Sequence, residues 1–265
     1  SKIPKTIIAN KDSKYFTDYS AFKADKKVSY STESIDSDLV PTNIKSGLKG
    51  SSFKLAGQNF ELHIPGYINV SNAAAAIATA KTLGLNLDYI AKRLDQYKGV
   101  PGRMNLIDSS QPFTVLIDYA HEESGLQYLM EWAKTCAPKG SKIVSLICGQ
   151  GGGRDVKKRP IMGEIAAKYS DSVIVSNDDV YDDDPQEIIR DIINGCKKVR
   201  PTLEGIYNIE DRREGIAKAL SLANRNDLVL ITGKGVDTSM IIAGKKIPWN
   251  EHQVVLEELT KLGYK

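Results

Sequence analysis

The chain has 265 residues, more than one average domain, so two domains are expected, and an apolar content of 41% suffices for a sizeable core. Its 36 basic and 33 acidic residues leave a net charge of +3, interleaved rather than blocked; no basic stripe carries interleaved aromatics, which argues against a dedicated nucleic-acid binder. Cys136, Cys148 and Cys196 are isolated, with no CxxC pair, which argues against structural zinc and for a reduced, cytoplasmic setting. No apolar run is long enough to span a bilayer, no secretory signal is evident, and the opening Ser1-Lys2-Ile3-Pro4 reads as a trimmed product or part of a longer protein.

Thr6-Ile7-Ile8-Ala9 reads as a buried strand, and residues 11–49 as mixed short elements of unassigned order. Phe53-Lys54-Leu55 and Phe60-Glu61-Leu62-His63-Ile64 alternate apolar and polar around Gly57-Gln58-Asn59, a hairpin signal. An alanine-rich helix is predicted from Ala73 to Leu83, stopped by Gly84, and a second from Leu87 to Tyr97. Gly99-Val100-Pro101-Gly102 breaks the pattern, which sets the expected domains at 1–101 and 102–265. Beyond it the strands Phe113–Asp118, Lys142–Cys148, Ser172–Ser176, Leu203–Ile206 and Asp227–Thr232 alternate with predicted helices near Glu123–Cys136, Arg159–Lys168, Pro185–Val199 and Asp211–Ala223. A last helix begins near Asn250. This alternation predicts an α/β unit with a mostly parallel sheet, whose ligands sit beyond the carboxyl ends of the strands.

Four strand ends carry unusual residues: Asp118-Tyr119-Ala120-His121, the loop Gly149–Asp155, the acidic run Asp178–Asp184, and Gly233-Lys234-Gly235-Val236-Asp237. In a parallel sheet they gather on one rim, where carboxylates, an arginine and open backbone suit a ligand bearing both a carboxylate and an amine. Glycines at 149, 151, 152 and 153 let a ligand approach the backbone, and Pro160 fits the first position of the following helix.

An ordered series of motifs resembles the C-terminal portion of the Mur ligases, most nearly the type that adds the third residue to UDP-N-acetylmuramoyl-L-alanyl-D-glutamate. The series is Gly66, Asn69 and Asn72; Gly102-Arg103-Met104; Asp118-Tyr119-Ala120-His121; Gly151-Gly152 with Arg154-Asp155; Lys158-Arg159-Pro160; Asp178 with Asp184-Pro185; Asp211-Arg212; and Gly233-Lys234-Gly235. The resemblance implies part of a central ATPase domain followed by a Rossmann-like C-terminal domain. It also implies ATP-dependent amide synthesis with Mg2+, in which an acyl phosphate is attacked by an amino acid's amine.

Carried over by resemblance, Asn69, Asn72, Arg103, Asp118 and His121 match positions near the nucleotide. Arg154, Asp178, Asp179, Tyr181, Gly233 and Asp237 match positions around the incoming amino acid, Arg154 clamping its carboxylate. Other readings stand beside these. Asn69 can cap the alanine-rich helix, Arg103 can form a surface ion pair, Asp118 can cap a loop, His121 can orient its own loop, and Arg154 can pair with Asp155. Lys158 and Arg159 read as a helix start and solvated face, Lys234 as a solvated lysine, Asp211 and Arg212 as a helix cap, and Met104 and Met130 as packing residues.

Two departures from the family pattern matter. Asp178-Asp179-Val180-Tyr181 stands where diaminopimelate-adding members carry Asp-Asn-Pro-Arg, so Tyr181 cannot form that arginine's ion pair. With Asp182, Asp183 and Asp184 the field is acidic and favours an amine-ending side chain such as L-lysine; alternatively these aspartates only cap the next helix. Secondly, no G-x-x-x-x-G-K-[ST] loop is present, and Gly47-Leu48-Lys49-Gly50-Ser51-Ser52 has the wrong spacing. The chain alone is therefore expected to be inactive, with no catalytic or metal residue of its own, and to need the missing N-terminal part and the UDP-linked dipeptide as partners. A folylpolyglutamate or cyanophycin synthetase relative, a non-catalytic binding module and a Rossmann dehydrogenase are the competing readings.

Overall fold

The computed structural model describes residues 3–265, and the chain divides into two compact units, Ser1–Gly99 and Val100–Lys265. In the first, β1 (Thr6–Asn10) pairs in parallel with β2 (Lys26–Tyr30), with the short helix α1 (Phe16–Ser20) between them in sequence. An antiparallel meander follows: β3 (Thr42–Gly47), β4 (Gly50–Leu55) and β5 (Gln58–Leu62). The β4–β5 turn places Ala56 and Gly57 at φ 48° and 89°, the left-handed pair that matches strand twist in tight hairpins. Phe53 and Phe60 face each other across this hairpin with ring centroids 5.2 Å apart. They pack with Leu55 and Leu62 against α2 (Tyr67–Thr82) and α3 (Leu87–Asp95) through Val70, Ala74, Ile77 and Ile90. Asn86 caps α3, its side chain accepting from the Tyr89 amide at 2.8 Å.

The alanine-rich helix starts at Tyr67, six residues before the expected Ala73, so Asn69 lies inside its first turn and is not its cap. Gly66 at φ 94° holds the cap position instead, a backbone that a side chain would disfavour.

In the second unit six strands lie in the order β10-β9-β8-β11-β7-β6: β6 (Asn105–Ile107), β7 (Thr114–Asp118), β8 (Ile143–Gly149), β9 (Ser172–Asn177), β10 (Ile206–Asn208) and β11 (Leu228–Thr232). All neighbours pair in parallel except β6, which runs antiparallel to β7. The helices α4 (Glu123–Cys136), α5 (Lys158–Tyr169) and α6 (Pro185–Val199) pack in sequence as one layer, and α7 (Arg212–Ser221) packs with α8 (Glu251–Lys261). Every one of the seven β8 residues is buried, as expected of a central parallel strand covered on both faces.

Three details differ from expectation. Leu203–Ile206 is not a strand: Leu203 and Gly205 are left-handed at φ 55° and 71°, so the chain turns there and β10 begins at Ile206. Pro160 is the third residue of α5, not the first, because Lys158 and Arg159 already belong to the helix. β6 and the hairpin β12 (Ser239–Ile242) with β13 (Lys245–Pro248) were not foreseen; both are short, and the hairpin lies between the last strand and helix of the sheet.

Candidate functional site

The ends of β7, β8, β9 and β11 are neighbours in one parallel array, so the four marked loops share its carboxyl edge. The glycine loop after β8 makes room for protein. A Cβ on Gly151 would lie 2.2 Å from the Val180 carbonyl oxygen, and one on Gly152, at φ 64°, 2.5 Å from the Tyr181 ring. The Gly151 amide donates to the Asp179 carbonyl at 2.8 Å. The expectation that these glycines admit a ligand is thereby corrected at 151 and 152, where the β9 loop fills the space.

Arg154 follows at the surface. Its guanidinium lies 5.9 Å from the Tyr181 ring centroid, with Nη2 3.5 Å from the Tyr181 hydroxyl. It does not pair with Asp155, whose carboxylate accepts the Lys157 amide at 2.8 Å. Among the described residues no carboxylate lies within ion-pair distance of Arg154. Tyr181 has φ 53°, unusual for a bulky residue, and its amide donates to the Ile241 carbonyl of β12 at 2.9 Å.

Beneath these loops lies Lys234, which is fully buried and not solvated as its sequence context suggested. Its Nζ stands 3.2 Å from Asp178 Oδ1, 3.0 Å from Asp179 Oδ1 and 3.3 Å from Asp237 Oδ2. Burial opposes its charge, but the surrounding carboxylates prevail and hold its pKa above the ordinary lysine value. Asp178 is buried with it, Asp179 mostly so, whereas the Asp237 side chain is 36% exposed and opens to the rim. Gly233, at φ 108°, is required by position, since a Cβ there would meet Cys148 Sγ at 2.2 Å.

At the end of β7, Asp118 accepts the Met104 amide at 2.7 Å through one oxygen and the Ala120 amide at 2.8 Å through the other. Burial pushes its carboxyl above the usual range, and these amides work against that. The Arg103 guanidinium rests 4.5 Å from the Tyr119 ring centroid. His121 packs edge-on against the same ring at 4.6 Å, its Nδ1 2.8 Å from the Tyr119 carbonyl, so it orients this loop. Gly102 touches the fourth loop directly: a Cβ on it would lie 2.3 Å from the Gly235 carbonyl carbon.

Residues 102–235 match the family described as Mur ligase, glutamate ligase domain, and residues 1–80 match the Mur ligase middle domain. The chain belongs to the Mur ligase family. A UDP-N-acetylmuramoyl-L-alanyl-D-glutamate--2,6-diaminopimelate ligase of Caldanaerobacter subterraneus subsp. tengcongensis is 37% identical over 261 residues, covering 97% of this chain and 52% of the relative. A UDP-N-acetylmuramyl-tripeptide synthetase of Treponema denticola is 42% identical over 193 residues, covering 72% of this chain and 36% of the relative. Among solved structures, a UDP-N-acetylmuramoyl-L-alanyl-D-glutamate--2,6-diaminopimelate ligase superposes with TM-score 0.65 at 26% identity, over 98% of this chain and 54% of that one. The MurF ligase of Thermotoga maritima in complex with ADP shares the fold with TM-score 0.64 at 18% identity, over 97% of this chain and 54% of that one. The chain spans about half the length of the curated relatives that match nearly all of it.

Several charged residues of this Mur ligase rim are structural, against their reading as solvated or capping groups. Lys158, buried, reaches Glu122 Oε1 at 2.6 Å. Arg159, also buried, bonds Asp191 at 2.9 Å and the Gln150 carbonyl at 2.8 Å, with Asp183 at 3.8 Å. Asp211 does cap α7, accepting from the Glu214 amide at 2.9 Å, but Arg212 lies wholly buried against Glu251 and the Asn177 and Thr232 carbonyls. Of the acidic run, Asp184 caps α6 by accepting the Gln186 amide at 2.9 Å. Within the run Asp178 and Asp179 face Lys234, whereas Asp182, Asp183 and Asp184 are exposed, Asp183 lying 3.8 Å from Arg159 and Asp184 3.8 Å from Arg190. Met104 and Met130 are buried packing residues.

Asn69 and Asn72 belong to the first unit. Asn69 Nδ2 donates to the Pro65 carbonyl at 2.6 Å, and Asn72 Nδ2 to Asn69 Oδ1 at 3.2 Å. Among the described residues no group of three or more His, Cys, Asp or Glu side chains could hold a metal ion, and no helix is long and apolar enough to cross a membrane.

Proposed function

We propose that this chain is the amino-acid-binding and part of the ATPase portion of a ligase that joins an amino acid to UDP-N-acetylmuramoyl-L-alanyl-D-glutamate. The observation that carries the reading is the pair Arg154 and Asp237 on one rim. Arg154 is an exposed guanidinium without a carboxylate partner among the described residues, and Asp237 is a half-open carboxylate. They are linked through Lys234, Asp179 and the Gly151 amide. A guanidinium fork suits a substrate carboxylate, and an open aspartate suits an ammonium.

ATP supplies the phosphoryl group that activates the acceptor carboxylate. Asp118 fits a ribose, because each carboxylate oxygen can accept a second hydrogen bond beside the backbone amide it already takes. Arg103, exposed on the Tyr119 ring, fits a phosphate oxygen. Mg2+ is expected with ATP, and we place none of its ligands on these residues. A cytoplasmic location follows from the nucleotide substrates and the three free thiols.

The amino acid taken is L-lysine or another simple diamino acid. With Asp178 and Asp179 already bound to Lys234, the support for this comes from cations: Arg154 can meet one carboxylate, and the Tyr181 ring beside it brings no second charge for the other carboxylate of diaminopimelate. The rest of a Mur ligase polypeptide is the proposed partner. A largely apolar cavity of about 380 Å³ lined by Ile7, Phe16, Tyr19 and Phe22 gives it surface to bury.

The test is ATP-dependent ligation by this chain supplied with a complementary Mur ligase N-terminal half, comparing L-lysine with meso-diaminopimelate. L-Lysine is expected to be preferred, and the 265-residue chain alone to show no turnover. Preference for diaminopimelate ends the lysine assignment. Turnover by the chain alone ends the claim that it needs its partner half.

A further inference from the structure

We propose that Lys234 is a positioning residue of the rim: its ammonium, and not a bound ligand, is the shared counter-charge of Asp178, Asp179 and Asp237, and so holds three loops in one arrangement with Asp237 at its solvent-facing edge. The inference rests on the amino-acid site proposed above for its functional meaning, but its geometry stands apart from any ligand. Lys234 is fully buried and faces three carboxylates at 3.0–3.3 Å, so one cation is shared among three anions. The other buried cation nearby, Arg212, is already bound to Glu251.

Asp179 passes the constraint outward. Its Oδ1 accepts both Lys234 Nζ and the Ile241 amide of β12, the latter at 2.8 Å. Its carbonyl accepts the Gly151 amide at 2.8 Å, three residues before Arg154. Two residues on, the Tyr181 amide returns to the Ile241 carbonyl at 2.9 Å. The glycine loop, through the Asp179 carbonyl, and the β12–β13 hairpin, through its carboxylate, therefore meet at Asp179, which Lys234 holds from below. Without the ammonium, three carboxylates crowd a poorly solvated space, and repulsion acts on the exposed loops sooner than on the wholly buried strand β11 beneath.

The experiment is residue-resolved amide exchange on the 265-residue chain, comparing wild type, Lys234→Met and Lys234→Met with Asp179→Asn. The Asp179→Asn change keeps an acceptor oxygen for the Ile241 amide and removes one negative charge. In Lys234→Met the amides of Gly151, Tyr181 and Ile241 are expected to lose at least about ten-fold protection, while amides within β8 and β11 keep theirs. The double variant is expected to recover most of that loss, a charge rescue that a purely volumetric role would not give. Calorimetric titration with L-lysine and with meso-diaminopimelate adds the functional arm: affinity falls about ten-fold in Lys234→Met and returns in the double variant. Unchanged protection at the three amides overturns the proposal. So does equal loss throughout the sheet, or failure of Asp179→Asn to rescue. If wild type binds neither amino acid, the substrate reading fails and the exchange result alone decides the role of Lys234.

Discussion

Replacing Arg212 by Met tests whether the rim is held from beneath by a buried ion pair. The guanidinium Nε lies 3.0 Å from Glu251 Oε2, Nη2 pairs with Glu251 Oε1, and both side chains are wholly inaccessible. Nη1 and Nη2 also donate to the carbonyls of Asn177 and Thr232, at 3.1 and 2.7 Å, which are the last residues of β9 and β11. Burial opposes the arginine's charge, yet Glu251 raises its pKa well beyond the ordinary value, so the guanidinium keeps its charge. Methionine fills the space but strands the carboxylate, which costs about 3–5 kcal/mol for a broken buried pair. Two carbonyls also lose a charged donor, and one indole N–H, from Trp249 at 2.6 Å, remains as partner to Glu251. A total of about 4–6 kcal/mol is a large part of the stability of a domain this size and lowers its Tm by roughly 10–20 °C.

Urea unfolding followed by tryptophan fluorescence checks the loss. Arg212→Met with Glu251→Leu should recover most of the loss, because it leaves no buried charge. A cost below about 1 kcal/mol for the single variant, or no recovery in the double, refutes the reasoning.

Two further outcomes are expected. Gly151→Ala should destabilise by about 1–3 kcal/mol because its Cβ meets backbone, 2.2 Å from the Val180 oxygen. Gly153→Ala, with open space around it and only a left-handed φ of 75°, should cost about 1 kcal/mol; a reversed order in denaturant midpoints contradicts this. Burial pushes the Cys148 thiol up to about 12 and the Cys196 thiol up to about 11, so neither should be alkylated in the native protein at pH 8, as mass spectrometry of iodoacetamide-treated samples will show. Because unfolded thiols ionise near 9 while these stay protonated, stability should fall as pH rises from 9 toward 11, readable from urea midpoints.

The alternation of β7 through β11 with their helices was legible because each apolar strand run ends in turn residues, and that alone put four loops on one edge. The roles of Arg159, Arg212 and Lys234 were not. A charged residue looks solvated in sequence until its partners are known, and these partners lie far off: Asp191 from Arg159, Glu251 from Arg212, Asp179 from Lys234. Arg212 carried a usable hint, since a basic residue in the first turn opposes the helix dipole and needs another reason to be there. The glycine loop was misread in a different way. Glycine announces that something comes close to the backbone, but sequence cannot say whether a ligand or, as at Gly151 and Gly152, another loop does so.

Both flanks of the six-stranded sheet end in three-residue strands, β6 on one side and β10 on the other. An edge that short exposes few unpaired amides and carbonyls and offers a poor template for a strand from a neighbouring molecule. The central strands, apolar enough to aggregate if bared, are thus shielded laterally as well as by their helices. Lengthening either flank with β-branched residues would be expected to turn the domain toward intermolecular pairing.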